Sequence, residues 1–179
     1  MRRVLYLSLA AAAVAALTIG SLAVAGGGKK NVKAEPLSGY LEAPPISSAA
    51  SGTFEATIDD QAQEIHYTVT YTGLEGDVLQ SHIHFGQRSV SAGIAAFLCS
   101  NLGNGPAGTP ACPPSPGSVT GTIHPTDVIG PAAQGIAAGE FQELVDAIRA
   151  GRAYANVHST KFTSGEIRGQ INDKNQKDD

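Results

Sequence analysis

Two short segments of the chain, residues 81–86 and residues 154–158, carry histidines at a spacing that suits metal binding. In both segments apolar and polar residues alternate with a period of two, which predicts β-strands. His82 and His84 then share the polar face of their strand, and Ile83 points to the opposite face. Two imidazoles at positions i and i+2 lie roughly 6.6 Å apart along a strand, so both rings can reach one ion.

A third histidine, His158, ends the second segment, on the same predicted strand face as Tyr154 and Asn156. Three neutral imidazoles are a ligand set for Cu, Zn, Ni or Fe, and the order of divalent-metal affinities favours Cu(II). Such a site keeps an open position for water or a substrate. The alternative is that His82 and His84 are surface residues whose ring nitrogens are satisfied by hydrogen bonds.

Four further polar residues are weaker candidates. His124 precedes Pro125 at a predicted strand end, where it is a candidate fourth ligand, whereas His66 is predicted to be solvated on the polar face of its own strand. Glu166 and Arg168 share one strand face, a pattern that favours a structural ion pair on an exposed surface. The alternative places Arg168 beside the metal as a guide for an anion, or Glu166 as an acceptor for an imidazole N–H.

The elements that position these residues are predicted to be mainly strands. One helix is predicted at residues 138–150, because four of its apolar residues recur at helical spacing. Many short strands with little helix indicate an all-β sandwich or barrel. The predicted strands, each bounded by turn residues, are residues 51–58, 64–71, 78–85, 94–98, 118–123, 153–157 and 165–171.

The N-terminus has the features of an export signal. Arg2 and Arg3 precede an apolar run at residues 4–25, which ends in the small-x-small pattern Ala23-Val24-Ala25. We interpret residues 1–25 as a cleaved signal peptide. The alternative is an uncleaved membrane anchor, since the run is long enough to span a bilayer.

The rest of the chain is predicted to be a single domain outside the cytoplasm. Residues 26–36 are interpreted as a flexible linker, residues 37–172 as the domain and residues 173–179 as a charged tail. Removing Arg2 and Arg3 from the 12 basic residues leaves 10 against 16 acidic ones, a net charge of −6. This charge argues against a nucleic-acid partner, which requires a basic surface. The sequence names no protein partner.

Cys99 and Cys112 are the two cysteines of the chain. An even pair in an exported protein predicts a disulfide. The bond would close the Gly- and Pro-rich segment between them, which the chain-entropy model values at about 3 kcal/mol. The alternative is two free thiols.

Several of these segments, taken in order, resemble the CHRD domain family. The resemblance spans about residues 37–172 and implies a single CHRD domain in an exported protein. CHRD domains in larger proteins look like protein-binding units, so the resemblance also admits an interaction module without metal. The matching segments are residues 37–45, 64–74, 81–86, 145–151, 154–158 and 165–171.

A second resemblance, to copper/zinc superoxide dismutase, rests on residues 65–86 and 155–158. There too a Gly-Leu turn precedes a His-x-His segment that is followed by Gly, and a late strand ends in Val-His. The resemblance implies an Ig-like or Greek-key β-barrel with copper ligands at His82, His84 and His158. The zinc loop of the dismutases has no counterpart here, so the sequence favours copper over zinc.

The function predicted first is therefore binding of one copper ion outside the cytoplasm. Two alternatives stay open at this point. One is a copper-only enzyme similar to superoxide dismutase, in which Arg168 attracts the anion. The other is the metal-free interaction module.

Overall fold

The computed structural model describes residues 29–173. Three predicted parts lie wholly or partly outside the described residues: the signal peptide or anchor, residues 26–28 of the linker and residues 174–179 of the tail. In the part of the chain that is described, no helix combines the length and apolarity needed to cross a membrane.

Strands dominate residues 29–173. One α-helix, α1, spans Phe141–Arg149, and short 3-10 turns occupy Gly39–Leu41, Pro125–Asp127 and Ala132–Gln134. The strands are β1 (Lys30–Ser38), β2 (Ser51–Asp59), β3 (Glu64–Thr72), β4 (Val78–Phe85), β5 (Ile94–Ser100), β6 (Gly117–Ile123), β7 (Ala153–Ser159) and β8 (Ile167–Asp173).

All eight described strands belong to one sheet with the order β5-β4-β7-β8-β1-β2-β3-β6. Each pair of neighbours is antiparallel. The edge strands β5 and β6 approach each other, and Tyr67 Oη donates across this seam to the carbonyl of Leu98 at 2.6 Å. The sheet therefore curls into a nearly closed barrel, which confirms the predicted all-β fold with one short helix.

The barrel interior is filled by every second residue of the strands. Ile83 of β4, Val157 of β7 and Ile167 of β8 are fully buried there, together with Phe54 and Ile65 from strands β2 and β3. Burial of such side chains contributes about 1.5–3 kcal/mol each. Because side chains alternate along a strand, the residues between these core positions point to the outer face of the barrel.

The helix α1 lies against β7 and β8. Its buried residues Leu144 and Ile148 belong to the predicted apolar stripe. The helix begins at Phe141, later than the predicted start, because Gly139 has a φ of 86°. A left-handed residue at that position cannot continue an α-helix. Gly151, with a φ of 65°, follows the end of the helix as predicted.

The predicted flexible linker is wrong for residues 30–36, which form most of β1. Val32 and Ala34 are buried in the barrel, and β1 pairs with both β2 and β8. Residues between them, such as Lys33, carry charge and point outward. With only two buried apolar residues among residues 30–36, this part of the strand resembles a charged linker in sequence.

The predicted disulfide between Cys99 and Cys112 is confirmed. It joins the end of β5 to the loop at residues 101–116. Asn101 reinforces the same loop, since its Nδ2 donates to the carbonyls of Val78 and Cys112, each at 3.0 Å. The loop is therefore held against the seam of the barrel.

Candidate metal centre

The pairing of β4 with β7 brings three histidines together. In this ladder Gln80 faces His158, and His82 faces Asn156, so His158 and His82 are diagonal neighbours on the outer face. His84 lies two residues further along β4. One nitrogen from each of the three rings lies within 4.8 Å of the others. The structure thus assembles the three candidate ligands that the sequence singled out.

This polar face is buried, although it lies outside the barrel core. His82 is 0% exposed, His84 7% and His158 6%. Two loops cover the face: residues 86–93, which follow β4, and residues 160–166, which follow β7. The alternative of solvent-exposed surface histidines is therefore wrong.

Backbone carbonyls fix two of the imidazoles. His84 Nδ1 lies 2.8 Å from the carbonyl oxygen of Ala92, and His158 Nδ1 lies 3.0 Å from that of Thr163. A carbonyl oxygen can only accept a hydrogen bond, so each Nδ1 carries the proton and each Nε2 presents its lone pair. A hydrogen bond that sets the tautomer in this way is typical of histidines that bind metals.

The remaining nitrogens of the cluster are poorly satisfied. His82 Nδ1 lies 3.1 Å from His158 Nε2, but His82 Nε2 is buried and has no hydrogen-bond partner among the described residues. His84 Nε2 lies 3.1 Å from Asn156 Oδ1. Two acceptors then face each other, unless the Asn156 amide is turned to donate. A cation between the rings would use lone pairs that the protein leaves unpaired.

The distances also suit a metal ion. Two nitrogens that bind one ion at about 2.0–2.1 Å lie at most about 4.2 Å apart. His82 Nδ1 and His158 Nε2 are already within that limit, at 3.1 Å. The three ligand nitrogens of the group all lie within 4.8 Å of one another, which exceeds the limit for one ion by less than one ångström. The residues present therefore fit a mononuclear site with imidazole ligands.

Burial keeps all three rings neutral. It lowers the pKa of His82 to about 2, with the neighbouring imidazoles adding to the effect. It lowers the pKa of His84 to about 4, although the hydrogen bond to Ala92 opposes the shift. The pKa of His158 is lowered for the same reason. At neutral pH the lone pairs are thus available without loss of a proton, as metal binding requires.

An aromatic stack extends from His84 to Arg168. The rings of His84 and Tyr154 are stacked, with centroids 4.7 Å apart and an interplanar angle of 5°. The Arg168 guanidinium lies 3.7 Å from the centre of the Tyr154 ring. Since β7 lies between β4 and β8, Tyr154 stands between the histidine and the arginine.

Arg168 is 2% exposed and holds the loop at residues 86–93. Its guanidinium donates to the carbonyls of Val90 at 3.0 Å and Gln87 at 3.1 Å. The same loop contains Ala92, whose carbonyl orients His84, and whose N–H donates to Tyr154 Oη at 3.2 Å. The expectation of an exposed strand face at Arg168 is therefore wrong, because this loop covers it.

Glu166 is buried just before β8. Its Oε1 accepts hydrogen bonds from Ser48 Oγ at 2.7 Å and from the Glu75 N–H at 2.8 Å. These contacts tie the loop before β2 to the loop before β4. They differ from both predicted roles, an ion pair with Arg168 and an acceptor for an imidazole.

Two other histidines lie away from the cluster, beside Glu64. His66 Nε2 is 3.0 Å from Glu64 Oε2, and His124 Nδ1 is 3.7 Å from Glu64 Oε1. Their side chains are 45% and 50% exposed. The structure does not bring His124 into the group formed by the three buried histidines.

Sequence reasoning missed Glu42, which is buried against Gly165. Burial raises the pKa of Glu42 to about 7, although the Arg168 charge acts in the opposite direction. Sequence reasoning also missed the carbonyls of Ala92 and Thr163, because a backbone group that contacts the site leaves no pattern in the sequence. For Glu42, the signal available was its position inside the matching segment at residues 37–45.

Comparison with known proteins adds a family assignment. The model of the CHRD domain family matches residues 34–171, nearly all of the described chain. The chain matches no curated protein and no solved structure.

Proposed function

The chain belongs to the CHRD domain family, and we propose that it acts outside the cytoplasm as a copper-binding protein, with His82, His84 and His158 as the ligands. One observation carries this proposal. Backbone carbonyls hold the Nδ1 protons of His84 and His158, so the Nε2 lone pairs of both rings are available to an ion, and His82 Nδ1 lies 3.1 Å from His158 Nε2.

The chemistry of the cluster favours copper. Its members are imidazoles without a carboxylate, which suits Cu, Zn, Ni or Fe better than the hard cations Mg²⁺ and Ca²⁺. Among divalent ions at such a site, Cu(II) binds most tightly. When bound, copper would supply either a stored ion or a one-electron redox centre. The protein's own groups orient the rings and exclude water, through the loops at residues 86–93 and 160–166.

The disulfide and the family support a location outside the cytoplasm. We propose that residues 1–25 direct export, either as a cleaved signal peptide or as a membrane anchor. The partner of the domain is then the metal ion itself.

The two alternatives have weaker support. An enzyme similar to copper-only superoxide dismutase requires Arg168 to attract an anion, but its guanidinium is buried and donates to two carbonyls. A metal-free interaction module gives no role to three buried imidazoles, one of which has a nitrogen without a hydrogen-bond partner among residues 29–173. A buried polar atom without a partner costs about 1–3 kcal/mol.

The test is a titration of the purified, metal-free domain with Cu(II), followed by calorimetry and EPR. We expect one copper ion per chain and a type-2 signal with nitrogen couplings. The signal should disappear in the His82→Ala, His84→Ala double variant. The matched control is the His66→Ala, His124→Ala double variant, which removes two exposed imidazoles and should keep the signal. Equal binding by the two double variants, or none by the wild type, would refute the proposal.

A further inference from the structure

The burial of the three histidines raises the question of how an ion reaches them. His82 is 0% exposed, and the other two rings are almost as deeply buried. An ion that enters such a site must pass through a local opening of the structure. The walls of the site therefore include at least one group that moves.

One cavity at the surface of the barrel is lined by Phe97, whose ring contacts His82. It has a volume of about 360 Å³ and lies where β5 and β6 meet. The loop at residues 106–110 forms one wall and the end of β6 another. Phe97 also lines it, and His82 faces Phe97 in the ladder between β4 and β5. The two rings are in edge-to-face contact, with centroids 4.5 Å apart. Phe97 thus stands between the cavity and the buried imidazole.

The polar lining of this cavity suits a cation. His124 and Asp127 line it, together with the hydroxyl-bearing Thr122 and Thr126. Asp127 Oδ2 accepts a hydrogen bond from the backbone N–H of His124 at 2.8 Å. Burial raises the pKa of Tyr67, another lining residue, and the charge of Asp127 adds to this effect. An imidazole with nearby carboxylate is a ligand pair for a divalent metal.

Further negative charge lies beside the entrance. Glu64 Oε1 is 3.7 Å from His124 Nδ1, whose side chain is half exposed. A cavity entrance that carries carboxylates raises the local concentration of cations and repels anions. This charge favours passage of a metal ion over passage of superoxide.

We propose that this cavity is the entry site for copper: His124 and Asp127 bind the incoming ion first, and Phe97 swings aside to admit it to His82. The inference rests on the proposed function, because it assumes that the ion is bound by the buried histidines. It assigns His124 a role in uptake, outside the final ligand set. The Gly- and Pro-rich loop, held by the Cys99–Cys112 disulfide, keeps the outer wall of the cavity in place.

The first test is the rate of Cu(II) uptake by the metal-free protein, measured by stopped-flow quenching of tyrosine fluorescence; the chain contains no Trp. We expect Phe97→Ala to load about tenfold faster, since opening no longer displaces a ring. Phe97→Leu guards against loss of folding in the alanine variant and should also load faster. Equilibrium affinity should be unchanged in both.

Two further variants test the route. A His124→Ala, Asp127→Asn double variant should load more slowly and lose part of the salt dependence of its rate, at unchanged affinity. The control is Ser164→Ala, which alters an exposed residue on the covering loop at residues 160–166 and should load as the wild type does. Faster loading in Ser164→Ala with no change in the Phe97 variants would overturn the inference, while leaving copper binding intact.

A second measurement needs no metal. Diethyl pyrocarbonate modifies accessible neutral imidazoles, and peptide mass spectrometry locates the product. His82 should be unreactive in the wild type and in Ser164→Ala, but reactive in Phe97→Ala and Phe97→Leu. The exposed His66 should react equally in all four proteins. An unreactive His82 in the Phe97 variants would exclude the path past Phe97, whatever the outcome of the copper titration.

Discussion

His158 Nε2 lies 3.1 Å from His82 Nδ1, across neighbouring strands and 76 positions apart in the chain. The other nitrogen of His158 is held by the carbonyl of Thr163 at 3.0 Å. The proton between the two rings therefore belongs to His82, whose Nε2 has no partner among the described residues. Without a metal the protein must tolerate this unsatisfied atom, which has consequences for stability and binding.

Replacing His82 should separate metal binding from stability. We expect His82→Leu to abolish copper binding while changing the free energy of unfolding of the metal-free protein by no more than about 1 kcal/mol. An apolar group of similar volume removes the unsatisfied His82 Nε2, but it also removes the hydrogen bond that His82 Nδ1 donates to His158 Nε2, so the two effects offset each other. Urea denaturation and a copper titration on the same sample measure both effects. A loss of more than about 3 kcal/mol, as for a disrupted core contact, would contradict this account of His82.

The stability of the metal-free protein should fall in acid. Burial lowers the pKa of His82 to about 2 and that of His84 to about 4, and also lowers that of His158. Well above pH 6.5 the rings are neutral in both the folded and the unfolded state, so their protonation does not lower the free energy of unfolding there. Below it the unfolded chain takes up protons that the folded chain refuses, and the free energy of unfolding decreases as the pH falls.

The expected slope near pH 5.5 is about 1–3 kcal/mol per pH unit, from the three histidines minus one opposing carboxyl group, Glu42. Urea unfolding at a series of pH values between about 4.5 and 8 measures it. The matched control is the His82→Leu variant. Its slope should be smaller by about 1.4 kcal/mol per pH unit, because the unfolded variant takes up one proton fewer. Equal slopes in the two proteins would show that His82 takes no part in the acid transition.

Glu42 should act in the opposite direction. Burial raises its pKa to about 7, so the folded state holds a proton that the unfolded chain releases above about pH 4.5. Its contribution to stability is therefore present at low pH and is lost as the pH rises toward 7. We expect Glu42→Gln to raise the free energy of unfolding at pH 8 by about 1–3 kcal/mol, with little gain at pH 4.5. Urea denaturation at the two pH values measures this difference. An equal effect at both pH values would argue against the raised pKa.

Arg168 should support copper binding through the loop at residues 86–93. Because its guanidinium donates to two carbonyls of this loop and stacks on Tyr154, Arg168→Lys should fail to replace it. We expect about tenfold weaker copper binding, a changed EPR spectrum and faster amide exchange at residues 86–93. The control is Arg152→Ala, which removes an exposed arginine beside β7.

The dismutase alternative predicts a different result for Arg168. A residue that attracts an anion changes a salt-dependent rate and leaves metal affinity and the loop unaltered. Normal copper affinity and normal exchange in Arg168→Lys, together with a slower reaction with superoxide, would therefore favour the enzyme over a loop-positioning role.

Local pattern was sufficient for most of the fold. The two-residue period of β4 predicted its bounds and placed His82 and His84 on one face, because neighbouring side chains of a strand must point to opposite sides. The pairing of Cys99 with Cys112 was also readable, since the chain has no other cysteine. Where local pattern was ambiguous, as in the charged β1, the sequence suggested a linker.

Only the tertiary structure decided that β4 lies beside β7 and that two loops close over their outer face. Strand pairing between distant segments depends on the whole sheet, which a local period does not encode. The loop at residues 86–93 is held by Arg168, about 80 positions further along the chain. That long-range contact turned a polar strand face into a buried site, with neutral histidines and an entrance beside Phe97.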